Sequence, residues 1–478
     1  MTDDALTARG GRGEQGMNTS TRVYAPLGML GYGFPESSLE AAVAEAPDVF
    51  VMDGGSIDPG PYYLGSGASF TNPVMVHRDL SLLLPRALDL DVPLIIGSAG
   101  GSGARPHLDR TLELIRRIAD EQGLRFRMAI IPSDLSADQV KEAIRRGMVS
   151  DFEVGRELTE DDVDACPHIV AQMGAEPFIE ALRAGAQVIV AGRAYDAAGP
   201  AALPLLRGAD PGLAFHMGKI VECGAQVALP RASDGVIADV HADRFEIGPA
   251  DPEKRCTVPL VAGHTLYEKS DPYLHGMPGG SLDLHAATYE QLDARRVAIR
   301  GSVLRPAPVT TVKLEGSAFV GHRSVCIAGV RDPILIEHLD EMLESVRRKL
   351  AVELGSRIPP DSYRLGFRVY GRSGVMGELE PELRREDREP PYEVAVLIDA
   401  VAPTQADADT VVALARSASL HMGYPGRKAT AGNVAFPYSP AEFPAPPSYE
   451  FRIYHLMTVE QDPTEMFPIT WEDVDGTR

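Results

Sequence analysis

A chain of 478 residues exceeds what one hydrophobic core serves, roughly 250–300 residues, so two domains are expected. The formal net charge of −22 repels phosphate backbones and anionic headgroups, and no local basic patch offsets it, which excludes nucleic acid and membrane surfaces and leaves a small molecule as the expected partner. Cys166, Cys223, Cys256 and Cys326 lie far apart with no C-x-x-C pair, and no apolar run reaches the ~18–20 residues of a membrane span, the pattern of a soluble cytoplasmic protein with free thiols.

Residues 1–16 carry no apolar period and read as a disordered tail. From about residue 21 to 230, short apolar runs alternate with helical patterns, as βα units do. Strands are predicted at 21–29, 48–53, 92–97, 126–131 and 186–192, several apolar at every position, as strands covered on both faces must be. Between the third and fourth, Leu108, Leu112, Ile115 and Ile118 recur at helical spacing, with Pro106 in the first turn and Gly123 as the cap. Residues 231–306 show alternating stretches that suggest antiparallel strands, with 271–284 reading as loop, and extend the first domain to 17–320.

The last third falls in the order strand, helix, strand, strand, helix, strand at 323–330, 333–354, 363–371, 392–402, 404–423 and 449–457. This is the βαββαβ order of a ferredoxin-like fold, expected over 321–460 with 461–478 as a tail. The fold class is therefore α/β, a mostly parallel sheet domain followed by a ferredoxin-like α+β domain. The charged, proline-bounded insert 372–391 is expected to be a mobile hairpin arm. Such a sheet leaves one face and two edges to be covered, so self-association into a homo-oligomer is expected.

In open parallel sheets, ligands bind beyond the carboxyl ends of the strands. There the second strand is followed by Asp53, Gly54, Gly55, Ser56 and Asp58, the third by the run Gly97 to Gly103 with Ser98, Gly100, Gly101 and Ser102, the fourth by Pro132, Ser133 and Asp134, and the fifth by Arg193 and Asp196. The glycine-rich run opens a helix, so it is either an anion cradle of backbone N–H groups or a tight strand-to-helix turn. It matches neither the P-loop nor the G-x-G-x-x-G pattern. Asp53, Ser56 and Asp58 either bind a cation or substrate or form an Asx-type turn. His107 near this run is either a ligand contact or a surface histidine, and it reads more readily as the latter. The densest group is AFHMGKIVECG at 214–224, where His216, Lys219 and Cys223 share a helix face with Glu222 beside them. That face is either an acid–base or thiolate site or an ordinary buried helix. His and Cys seven apart, with no second pair, is not a zinc spacing, and no metal is expected. The cofactor is left unknown.

The stretches DVFVMDGGSIDPGPYYLG, VIVAGRAYDAAGPAALPLLRG, HMGKIVECGA, KLEGSAFVGHRSVCIAGVRDP and ATAGNVAFPYSP resemble the acyclic terpene utilisation, or AtuA-like, family over about residues 21–457. The resemblance implies a place in the breakdown of acyclic terpenes through acyl-CoA thioesters and a ferredoxin-like C-terminal domain. The expected function is a catabolic enzyme acting on a carboxylic acid or CoA thioester by a lyase, hydratase or isomerase step. His216, Lys219, Cys223 and Glu222 are its candidate catalytic residues. Its candidate substrate-binding residues are Asp53, Gly54, Gly55, Ser56, Ser98, Gly100, Gly101, Ser102, Arg193 and Asp196. The alternative is a non-catalytic binding or assembly subunit of a catabolic complex.

Overall fold

The computed structural model describes residues 20–476 except 154, 268–270, 356, 380–389 and 461. The tail 1–16 and much of the insert expected as an arm lie outside the described residues. Two compact units emerge. One holds the chain up to 164, residues 168–316 and those from 453 on; the other holds 165–167 and 317–452.

The first unit is organised by a ten-stranded sheet. Its centre is five parallel neighbours in the order Thr21–Ala25, Val49–Asp53, Leu94–Gly97, Val188–Ala191 and Arg125–Ile131. All four residues of Leu94–Gly97 and of Val188–Ala191 are buried, because helices cover both faces of the parallel centre. Long amphipathic helices Pro73–Asp89 and Arg105–Gln122 supply Leu80, Leu83, Leu84, Leu108, Leu112 and Ile115 to one core. Antiparallel strands Val236–Val240, Phe245–Pro249, Val297–Arg300 and Thr288–Gln291 continue one side, so the sheet is mixed with a parallel centre. The stretch read as loop forms a hairpin, Leu274–Met277 with Gly280–Asp283, because Pro278 and Gly279, the latter at φ +78°, supply its turn.

In the second unit the strand order is Arg364–Tyr370, Val394–Ala402, Thr311–Val330 and Glu442–Thr458, the third beginning and the fourth ending in the first unit. Both register-resolved neighbour pairs run antiparallel. Cys326, Ala328, Val330, Val369, Val394, Val396 and Ile398 alternate onto one sheet face, where they share a core with Leu339, Leu343, Val346, Val411 and Ala415 of helices Leu339–Leu354 and Gln405–His421.

Residues 470–475, within the stretch expected as a tail, form a strand antiparallel to Arg125–Ile131 and cover what would otherwise be an open sheet edge. Arg127 lies 4.1 Å from the Trp471 ring centroid, Arg116 grips Glu472 at 2.8 and 2.7 Å, and Val474 is buried in the core. Truncation after Pro468 is expected to lower the melting temperature by several degrees and to promote concentration-dependent aggregation, checked by thermal scanning with light scattering; an unchanged melt would mean that the strand adds no stability.

Candidate functional site

The carboxyl edge of the parallel centre is built by backbone meeting backbone. Gly54 N donates to Gly97 O at 2.7 Å, and a Cβ on Gly55, at φ +142°, would sit 2.5 Å from Gly101 Cα. A Cβ on Gly103 would meet Arg193 N at 2.1 Å. The glycines therefore let three strand ends close on one another. Gly54, Gly55, Gly101, Ser98 and Ser102 are buried and Gly100 is half-buried, while the first helical N–H beyond the run, Arg105 N, is taken by Asp134 Oδ1 at 2.8 Å. His107, expected at the surface, is wholly buried; burial lowers its pKa to about 4, and its Nε2 bonds Ala68 O at 2.9 Å.

Arg193 is the hub of this edge. Its side chain is 3 % exposed, so each donor needs a partner. Nε and Nη2 hold both oxygens of Glu315 at 2.8 and 3.4 Å, while Nη1 donates to Ser98 Oγ at 3.1 Å, Ala194 O at 3.0 Å and Asp196 Oδ1 at 3.4 Å. Burial opposes the guanidinium charge, but Glu315 and Asp196 outweigh it, and the pKa is raised. Glu315 reaches this point through a chain of pairings: Met173 bridges Ala194, and the preceding strand Ile169–Gln172 pairs with 313–316. Lys313, two residues earlier and so on the same face, binds Glu315 at 2.7 Å.

Helix Pro211–Val221 lies under the same edge. Asp210 caps it by accepting from Leu213 N at 3.1 Å, and every residue from Gly212 to Val221 is buried. Gly218 faces the backbone of Ala197 and Gly212 that of Ser302, so the helix seats without side-chain spacers. Lys219 and Glu222, three apart, form an ion pair, and Lys219 Nζ lies 3.9 Å from Asp196 Oδ2. Arg193 and Lys219 are thus both buried, with carboxylates of the chain around them.

Asp53, Asp196 and Glu222 bring carboxylate oxygens within 4.8 Å of one another. Lys219 and Arg193 already provide the positive charge there, and Asp53 and Asp196 line a small pocket with Met52, Gly97, Tyr195 and Pro200. Burial, then the nearby Asp196 charge, pushes the Asp53 pKa well above the usual carboxylate range, against the opposing pull of Arg193, the Gly55 N–H and Ser98. Ser98 stands at φ +44°, unusual for a residue with a side chain, and its Oγ also accepts from Ala194 N at 3.3 Å. A second depression, between Glu45, Asp239, Glu246, Arg295 and Arg296, lies beside the Arg22–Asp239 ion pair at the opposite, amino-terminal edge and is lined by mutually paired surface charges.

The structure groups the sequence candidates selectively. It brings Asp53, Ser98, Arg193, Asp196, Lys219 and Glu222 together. Ser56 turns away, its Oγ accepting from Asp58 N at 3.1 Å. His216 faces a different set: Thr265 Oγ1 donates to Val261 O and so accepts from His216 Nε2 at 3.3 Å, which leaves Nδ1 to accept from Ser302 Oγ at 2.6 Å. Burial, then the neighbouring His275, lowers the His216 pKa to about 3. Cys223 is half-buried, its carbonyl against Gly28. Ser133, after the fourth strand, also joins the site, its Oγ accepting from Arg193 N at 2.6 Å, whereas Glu315 and Lys313 were not singled out from the sequence. Charged residues at a spacing of two inside the apolar run T-V-K-L-E-G were the available signal.

An α/β protein with a half-buried carboxyl pair and paired cations beyond the ends of its parallel strands is the class that this geometry defines. The model of the acyclic terpene utilisation family protein AtuA matches residues 76–443, and the chain belongs to that family. Membership ties it to acyclic terpene utilisation. No curated protein and no solved structure matches the chain. Among the described residues no helix is long and apolar enough to cross a membrane.

Two outcomes test this geometry. A carboxyl whose folded pKa is raised adds stability below its unfolded pKa, and that stability is lost as pH rises to the folded value. Asp53→Asn should therefore gain stability relative to wild type as pH climbs above about 4, by up to about 1.4 kcal/mol per pH unit, and the gain should level off above the folded pKa; parallel stability-versus-pH curves for the two proteins would show that Asp53 titrates normally. His216→Ala should cost about 3 kcal/mol or more in denaturant unfolding, since it opens a cavity and strands Ser302 and Thr265, whereas an unchanged midpoint would mean that His216 does not seat the helix.

Proposed function

We propose that the chain is a proton-transfer enzyme acting on a CoA thioester of a branched apolar acid, by an isomerase, hydratase or lyase step. The observation that carries this reading is the unequal carboxyl pair at the pocket: Asp53 held neutral beside Asp196, which Arg193 and Lys219 pair as a carboxylate. Two like groups driven to different protonation states are what an acid and a base need at one pH. The Asp53 O–H donates to the thioester carbonyl oxygen while Asp196 takes the proton from the adjacent carbon; return of the proton elsewhere, or loss of a β-hydroxyl, gives the isomerase or hydratase outcome. The reacting end of a thioester is uncharged, which suits a pocket whose own charges already balance. In this reading Lys219 and Glu222 hold Asp196 in place, His216 positions their helix, and the glycine-rich run excludes water.

The second unit is read as a ferredoxin-like module, on the strength of its βαββαβ order and its strand order with both helices on one sheet core. Its other face, with Val325, Ile327, Leu397 and Val401, supports self-association, and four thiols without a disulfide support a cytoplasmic setting.

The reaction class is tested by incubating the protein in D2O with saturated and α,β-unsaturated branched acyl-CoA thioesters and following deuterium uptake by mass spectrometry. Wild type should exchange the proton next to the carbonyl. Asp53→Asn and Asp196→Asn should each slow exchange by about 100-fold or more, the usual worth of a positioned acid or base. No exchange with any thioester, or full exchange by both variants, would count against a proton-transfer site and favour a binding subunit.

A further inference from the structure

We propose that Glu315, fixed by Lys313, is the positioning residue of this site: it clamps Arg193 so that the remaining guanidinium nitrogen orients Ser98 and Asp196, and through them the Asp53–Asp196 pair. The inference rests on the proton-transfer reading and adds a part of the machinery that lies outside the pocket. A guanidinium with several acceptors in reach can settle in more than one way. Here the bidentate grip, at 2.8 and 3.4 Å, commits Nε and Nη2 and leaves only Nη1 for the site. Nη1 then meets Ser98 Oγ at 3.1 Å and Asp196 Oδ1 at 3.4 Å, and Asp196 is the carboxylate that lies within 4.8 Å of Asp53.

Glu315 is 0 % exposed, and it is held from behind by Lys313, whose Nζ also lies 4.8 Å from the Tyr454 ring centroid. The relay therefore runs Lys313, Glu315, Arg193, Asp196, Asp53, with alternating charge along its first four members and Ser98 bracing Nη1. A plain structural ion pair would need only Arg193 and Glu315. Seating Lys313 behind and Ser98 in a left-handed conformation in front defines where the last guanidinium nitrogen points. The charged groups facing Asp53 are Arg193 and Asp196 from the loop after Val188–Ala191, with Lys219 and Glu222 from the end of the buried helix.

The test follows Asp53 itself and needs no substrate. Difference infrared spectra of the full-length protein against pH read the carbonyl stretch of a buried protonated carboxyl, and Asp53→Asn assigns the band. Glu315→Gln uncovers the positive charge of Arg193 and should move the midpoint of that band to lower pH, by about one unit. Lys313→Met leaves Glu315 more negative, neutralises Arg193 further and should move the midpoint the opposite way. A purely structural role would lower the melting temperature and leave the midpoint alone, so an assigned Asp53 band that stays put in both variants overturns the proposal. Absence of any Asp53 band sinks the proton-transfer reading and this proposal with it. Should Glu315→Gln fail to fold, Lys313→Met decides alone: an upward shift supports the relay and no shift overturns it.

Discussion

The arrangement of the carboxyl edge follows from one constraint, the burial of the Arg193 guanidinium. Removing such a charge from water costs several kcal/mol, and the cost is offset only when every donor finds an acceptor in good geometry. Glu315 takes two nitrogens, Ser98, Ala194 O and Asp196 take the third, and Ser133 accepts from the backbone N–H of the same residue. Satisfying one side chain thus draws in the loop after the third strand, the loop after the fifth and the strand Thr311–Val330. Removing either partner alone would leave a buried uncompensated ion, which is strongly destabilising.

Charge balance then decides the state of Asp53. The carboxylates of Asp53, Asp196, Glu222 and Glu315 face the cations of Arg193, Lys219 and Lys313. Among these groups of the described residues the carboxyls outnumber the cations by one, which disfavours full ionisation of all four. Among the described residues Asp53 makes no direct ion pair, and burial beside Asp196 raises its pKa well above the usual carboxylate range, so its charged form is the least favoured of the four.

Much of the fold was legible because apolar runs and helical periods are local signals. All five strands of the parallel centre lie where the sequence puts them, within a few residues, since runs such as VFVMD, LIIG and VIVA have no other use than a doubly covered strand. The strand Thr470–Asp475 was not legible. Its pattern T-W-E-D-V-D is polar, and its pairing is set by a partner more than 330 residues away. The site divides in the same way. The residues after each strand were visible because parallel topology gathers them, whereas Glu315 arrives through two intermediate pairings that no local pattern announces. The helix face at 214–224 shows the opposite limit: spacing on a helical wheel groups His216 with Lys219, but a helix buried on all sides presents each residue to a different neighbour.

The glycines of 54–55 and 97–103 carry a different meaning in three dimensions from the one their sequence suggests. Bare N–H groups in a loop can cradle an anion, yet here they let backbones approach to separations that a single Cβ would forbid. Closing the strand ends in this way expels water, and a drier setting strengthens every charge interaction among Arg193, Glu315, Asp196 and Lys219. The same dryness penalises the carboxylate form of Asp53. Glycine content, the buried ion network and the raised Asp53 pKa are therefore one design seen at three scales: the small residues let the strand ends close, the ion pairs make the burial tolerable, and the same burial raises the pKa of Asp53.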